Sequence, residues 1–199
     1  VNSIGPGLAK AAVGIIVNGE QKDLSFTITE DVEFRVLTTR DEEGLDIARH
    51  TLAAQVLARA VKDLYPNAKL AIGPTIEHGF YYDVDFEEPI VPEDLPAIDA
   101  RMREILKEDL EVTREMWPRQ EAIDYFLKKG EIYKADIIER APAEQKEISL
   151  YRQGNNGEDI FMDLCLGPHL PNVNRGKLAF SLTNISGAYW RGDSNNKML

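Results

Sequence analysis

The sequence predicts an α+β fold with an antiparallel sheet. Helical periodicities gather ahead of a run of short strand patterns, without strict βαβ alternation. A hairpin signal sits near the start, and a long period-two stretch sits in the middle. Leu8–Ala12 reads as the end of a helix. Gly14-Ile15-Ile16-Val17 then runs into Asn18-Gly19, the dipeptide that favours a two-residue hairpin turn. Glu33–Leu37 alternates as a half-buried strand does. Asp41–Gly44 marks a boundary, and a helix follows from about Leu45 to Tyr65, stopped by Pro66-Asn67. Ala53, Leu57, Val61 and Leu64 recur at helical spacing and define its core stripe. Leu70–Pro74 and Gly79–Phe86 read as strands, with Phe80, Tyr82, Val84 and Phe86 on one face. Helices are expected over Glu93–Leu110 and Gln120–Lys129, the latter closed by Gly130. Four short strands follow: Ile148–Arg152, Asp159–Asp163, Leu178–Thr183 and Ala188–Arg191.

With 199 residues, 43% of them hydrophobic, the chain can bury a core and form one large or two modest domains. No apolar run reaches the roughly 18 residues of a membrane span, so no membrane partner is expected. The first residues lack the basic start and apolar stretch of a signal peptide. A single cysteine cannot form an internal disulfide, which favours a reducing compartment such as the cytoplasm. Lys and Arg number 23 against 34 Asp and Glu, a net charge of −11, which argues against a freestanding, charge-driven nucleic-acid binder. The charge is uneven. Residues 83–115 hold twelve acids and four bases, and residues 165–199 one acid and four bases.

Cys165-Leu166-Gly167-Pro168-His169 is the sharpest local feature. Gly-Pro between the thiol and the imidazole excludes a regular helix, so both side chains can turn toward one point. Such a pair could ligate zinc, act as nucleophile and base, or bind a substrate. It could equally be a buried thiol beside a loop-capping histidine. Zinc needs three or four ligands. At about 100° per residue His50 lies near Leu57 in the core stripe, as a packed histidine, and His78 falls in a turn. Too few ligands therefore remain, and no metal is expected. Gln55 and Arg59 neighbour each other opposite that stripe, as a solvated face. Asp163 points to the same side as Cys165 if its strand continues, and Lys134 reads as a surface lysine. Phosphate-loop, dinucleotide, serine-elbow and zincin motifs are absent.

Ile4–Lys10, Asp41–Leu45, Leu70–Pro74, Gly79–Asp83, Cys165–His169 and Ala188–Leu199 together resemble bacterial-type threonyl-tRNA synthetase, in order and across essentially all 199 residues. The resemblance implies a partial ubiquitin-like (β-grasp, TGS) module over 1–42. An α+β editing domain with an antiparallel sheet and a long helix would then occupy 43–199, ending before the catalytic domain. It implies hydrolysis of serine wrongly attached to threonine tRNA. Serine lacks one methyl group, a difference worth only about 1–3 kcal/mol, so a second sieve is needed. Carried over, Cys165, His169, Asp163 and Lys134 are the catalytic group, and Tyr82, Gln55 and Arg59 bind substrate. Gln55 and Arg59 stand where the family has His-x-x-x-His. The alternative is therefore a non-catalytic tRNA-binding appendage, and a third reading is a zinc-dependent hydrolase. Partners are tRNA and serine. No cofactor is expected in this chain; ATP, Mg and Zn, and homodimer contacts, would belong to the missing domain.

Overall fold

The computed structural model describes residues 3–155 and 157–199. Pro6 opens a short helix, α1 (Pro6–Ala11), which leads into β1 (Ala12–Val17). Asn18 and Gly19 have φ of 49° and 85° and turn the chain into β2 (Glu20–Lys22), as their sequence predicts. β3 (Phe34–Thr38) pairs with the other edge of β1, giving an antiparallel sheet of order β2-β1-β3. The Asp41 carboxylate then accepts the Thr38 backbone N–H and hydroxyl at 2.8 and 3.0 Å. Those bonds hold its pKa below the usual carboxylate range and fix the corner into α2 (Glu42–Thr51).

Helix continues through a π-helical stretch, Leu52–Leu57, into α3 (Ala58–Leu64). The single core stripe expected here is not what forms. Leu64 is exposed, whereas Gln55 and Arg59 are buried. Two surfaces enclose this helix: Ile98, Met102 and Ile105 of α4 (Leu95–Glu108) and Tyr151 and Phe161 of the main sheet. The buried polar groups are satisfied in part: Gln55 Nε2 and Arg59 Nε have no hydrogen-bond partner among the described residues, while the other atoms pair locally. The Gln153 amide donates to the Gln55 carbonyl at 2.8 Å inside the π-helical stretch, and Arg59 donates to Gln153 Oε1 at 2.6 Å. Arg59 also pairs with Glu108 at 2.6 Å.

Two ribbons stand where longer strands were expected. β4 (Lys69–Leu70) pairs with β7 (Val84–Asp85), and β5 (Thr75–Ile76) with β6 (Gly79–Phe80). The Tyr82 ring folds over Gly73, where a Cβ would collide with it, and the chain bends between the ribbons. Phe80, Tyr82, Val84 and Phe86 still pack on the main core together.

A 3₁₀ turn (Pro92–Asp94) leads into α4, and β8 (Val112–Pro118), α5 (Arg119–Lys128) and α6 (Ile132–Glu139) follow. β8 and α6 have no counterpart in the sequence reading. β9 (Glu147–Gln153) and β10 (Phe161–Leu164) complete an antiparallel sheet of order β10-β9-β8. α5 and α6 cover it through Phe126, Ile138, Leu150 and Met162. Leu178–Thr183 is not a strand: it is an extended strap whose Leu178, Phe180 and Leu182 pack on the core. In place of the last expected strand, Tyr189 bridges to Met198 and Trp190–Gly192 forms a 3₁₀ turn. Val13, Leu37, Ile47, Ala48 and Leu170 form a further cluster that joins the first sheet to α2 and to the segment after His169.

Replacing Gln153 by Leu removes the side-chain donor from the Gln55 carbonyl and the Oε1 acceptor from Arg59, which keeps only its acidic partners. We expect a loss of about 1–3 kcal/mol of stability, measured by urea unfolding.

Candidate functional site

The Cys165–His169 loop leaves the end of β10 and crosses the N-terminal half of the long helical segment. Gly167 has φ 74°, and a Cβ there would overlap the Tyr151 hydroxyl, so both backbone and neighbour require glycine. The loop brings Cys165 Sγ to 3.1 Å from His50 Nε2, and the His50 and His169 rings to 4.4 Å between centroids. The sequence reading placed His50 in the core. It stands instead at the cysteine, because α2 turns that face toward the loop. Gln55 and Arg59 are corrected in the other direction. They belong to the Gln153–Glu108 network and bond neither to Cys165 nor to His169 among the described contacts. His78 is exposed, with only a 3.7 Å approach to Glu77.

The hydrogen bonds fix where the protons are. A carbonyl can only accept, so His50 Nδ1–H donates to Pro168 O at 3.3 Å. His50 Nε2 is then an acceptor, and the Cys165 thiol donates to it. Burial pushes that thiol up to about 12, so it carries its proton at neutral pH. The Thr51 hydroxyl gives its one proton to Ile47 O at 2.9 Å and lies 3.2 Å from His169 Nδ1. His169 must therefore donate from Nδ1, which leaves a lone pair on Nε2. That nitrogen is buried and has no hydrogen-bond partner among the described residues. Burial, and then the neighbouring His50, hold His169 well below the usual imidazole range. Burial lowers His50 too, against the opposing Pro168 carbonyl.

A second cluster closes on itself beside the first. Lys134 Nζ lies 2.7 Å from Asp163 Oδ1 and donates to the Tyr82 hydroxyl at 2.7 Å, and that hydroxyl donates to Asp163 Oδ2 at 2.9 Å. Lys134 and Asp163 are 3% and 1% exposed. Burial, then the Asp163 carboxylate, raise Tyr82 well above the usual phenol range. Both charges act on Cys165 and on His50, so the two clusters form one electrostatic site. Lys134 is delivered by α6. α5 ends in a Schellman turn at Gly130 (φ 77°), with Glu131 N–H donating to Phe126 O and Gly130 N–H to Leu127 O. Glu131 then accepts Leu70 N–H at 2.8 Å and pairs with Lys62 at 2.7 Å, which pins the start of α6.

Tyr82 also borders a cleft of about 1060 Å³, walled by Leu52, Leu57, Phe80, Leu182 and Ile185. One donor atom each from His50, Cys165 and His169 lies within 4.8 Å of the others, so three ligands converge where the sequence offered two. That is one short of a closed tetrahedral zinc set.

Because both histidines are neutral when folded and titrate near 6.5 when unfolded, the unfolded chain takes up protons first as pH falls. Stability is then lost as pH falls below 6.5, and each histidine contributes at most about 1.4 kcal/mol per pH unit. Urea unfolding at pH 6.5 and 5.5 measures the loss. Histidine NMR at pH 6 should find the His169 ring neutral.

Residues 148–199 match the family model described as the Threonyl and Alanyl tRNA synthetase second additional domain. That stretch holds β9, β10 and the Cys165–His169 loop. Curated relatives match nearly the whole chain. The threonine–tRNA ligase of Rhodospirillum rubrum is 52% identical over 196 residues, 98% of this chain and 29% of that protein. The Azoarcus enzyme is 51% identical over 197 residues, 99% of this chain and 30% of that protein. The Nitrosococcus oceani enzyme is 53% identical over 196 residues, again 98% and 29%. The chain thus spans about 30% of the length of the curated relatives it matches. Almost every residue of the chain is matched by bacterial threonine–tRNA ligases, and its residues 148–199 by the second additional domain of threonyl and alanyl tRNA synthetases.

Proposed function

We propose that this chain is an editing region that hydrolyses the ester between serine and the terminal ribose of threonine tRNA. The observation that carries the reading is the unpartnered, buried Nε2 of His169, 4.4 Å ring to ring from His50 and in the loop that presents Cys165. A neutral imidazole with a free lone pair is a general base at pH 7. In the proposed step, His169 Nε2 takes a proton from water as the water oxygen attacks the seryl carbonyl. The ester C–O bond breaks, and the ribose oxygen leaves with a proton returned by the imidazolium. Cys165, whose thiol burial keeps protonated, turns its one proton from His50 Nε2 to the carbonyl oxygen as charge develops there. The Lys134–Asp163–Tyr82 cluster holds the serine ammonium and hydroxyl, groups that hydrogen-bond to a carboxylate and a phenol. Gln55 and Arg59 are not assigned a role.

In this reading residues 1–42 belong to a ubiquitin-like module, and residues 43–199 form the editing domain. ATP, Mg and Zn chemistry, pairing into a homodimer and most of the tRNA contact lie in the remainder of the synthetase. The −11 charge supports that last point, since phosphate contact needs cations from elsewhere. A cytoplasmic location follows from the substrate. No helix of the described residues is long and apolar enough to cross a membrane.

Release of serine from seryl-tRNA tests the proposal. His169→Ala should lower the rate about 100-fold or more, and Cys165→Ala should lower it as well. Binding without release above the buffer rate would instead make the chain a non-catalytic tRNA-binding appendage. The step uses no metal, so dialysis against a chelator should leave the rate within about twofold. Loss with recovery on added zinc would instead place an ion on His50, Cys165 and His169.

A further inference from the structure

One part-buried contact that the proposed chemistry leaves unused comes from just beyond the first sheet. Asp23 follows β2, and its carboxylate reaches the site loop 146 residues later in the chain. Asp23 Oδ1 accepts the His169 backbone N–H at 2.9 Å. The Tyr151 hydroxyl donates to the same carboxylate, at 2.9 Å from Oδ2 and 3.1 Å from Oδ1. The Tyr151 ring meets the His169 ring edge-on, at 4.5 Å and 89°. One carboxylate therefore holds both the backbone of His169 and the ring against which its imidazole rests.

The surroundings leave this clamp little play. The Tyr151 hydroxyl fills the space beside Gly167 where any side chain would collide. Leu170, next to His169, is buried among Val13, Leu37, Ile47 and Ala48. Arg175, further along the same segment, donates to the Ala12 and Ala9 carbonyls. The loop is thus wedged between the first sheet and α2, and Asp23 supplies its charged contact. Burial, and then the Asp23 carboxylate, raise the Tyr151 phenol above its usual range, so it remains a donor at working pH.

We propose that Asp23 is a positioning residue for His169: by accepting the Tyr151 hydroxyl and the His169 N–H together, it lets the N-terminal segment set the geometry of the site. The catalytic consequence rests on the editing reading above; the effect on His169 itself does not. A misplaced base costs rate steeply, while substrate contacts made by other residues survive.

The test uses the chain with Asp23→Ala, Asp23→Asn and, as a control, Val17→Ala, which opens a cavity in the first sheet without removing any of these bonds. Histidine ¹⁵N NMR reads the tautomer and titration of His169. Seryl-tRNA deacylation reads kcat and KM separately. Asp23→Ala should move His169 toward ordinary imidazole titration, with loss of the pure Nδ1–H form. It should lower kcat about tenfold, with KM changed less than about twofold. Asp23→Asn should restore most of both, because its carbonyl oxygen still accepts the His169 N–H. Val17→Ala should leave the His169 signals in place. Unchanged His169 signals in Asp23→Ala, or equal shifts in Val17→Ala, would overturn the proposal. If the parent chain releases no serine but Asp23→Ala still moves His169, the editing reading fails and the positioning role stands.

Discussion

One hydroxyl joins the halves of this site. Thr51 donates to Ile47 within its own helix, accepts the Leu170 N–H at 2.9 Å and accepts from His169 Nδ1. A buried imidazole that could donate from either nitrogen would have no defined role. Here the helix consumes the threonine proton, so the imidazole can only donate to it. The free lone pair on Nε2 is a consequence of that order. The ring tautomer and the direction of the reactive nitrogen follow from a residue with no catalytic chemistry of its own, which also shares in holding the loop.

The charged cluster works on a different principle. A lone lysine or aspartate as deeply buried as Lys134 or Asp163 would tend to become neutral. Paired with each other and with Tyr82, they keep every polar atom engaged. Such a cluster gives fixed dipoles without solvent and suits the recognition of a small polar group. Its parts come from three separate elements, the bend after β6, helix α6 and strand β10. It exists only when the two core clusters dock.

Much of this was legible in the residues. Asn18-Gly19, Pro66, Gly130 and the Cys165–His169 spacing each encode a local geometry, and each appears where its chemistry dictates. The face shared by Phe80, Tyr82, Val84 and Phe86 also survived, although the strand beneath it is broken. Tertiary packing hid the rest. Gln55 and Arg59 resembled a wet face because polarity in a helix usually means solvent, yet a partner helix and a sheet enclose them here. Lys134 carried no periodic signal, since α6 is buried on several sides and lacks a polar–apolar stripe. His50 was assigned by an ideal rotation per residue that its helix does not keep. Asp23 carried no local signal at all: its partners are more than a hundred residues away.

The π-helical stretch has a bearing on how sequences of this kind are aligned. One wide turn at Leu52–Leu57 shifts the angular frame between its two flanks. Counting backward from Pro66 and counting forward from Gly44 thus give different residues at one place on the cylinder. A helix built this way can absorb a single inserted residue without moving either end. Homologous side chains along it are better paired by three-dimensional superposition than by spacing.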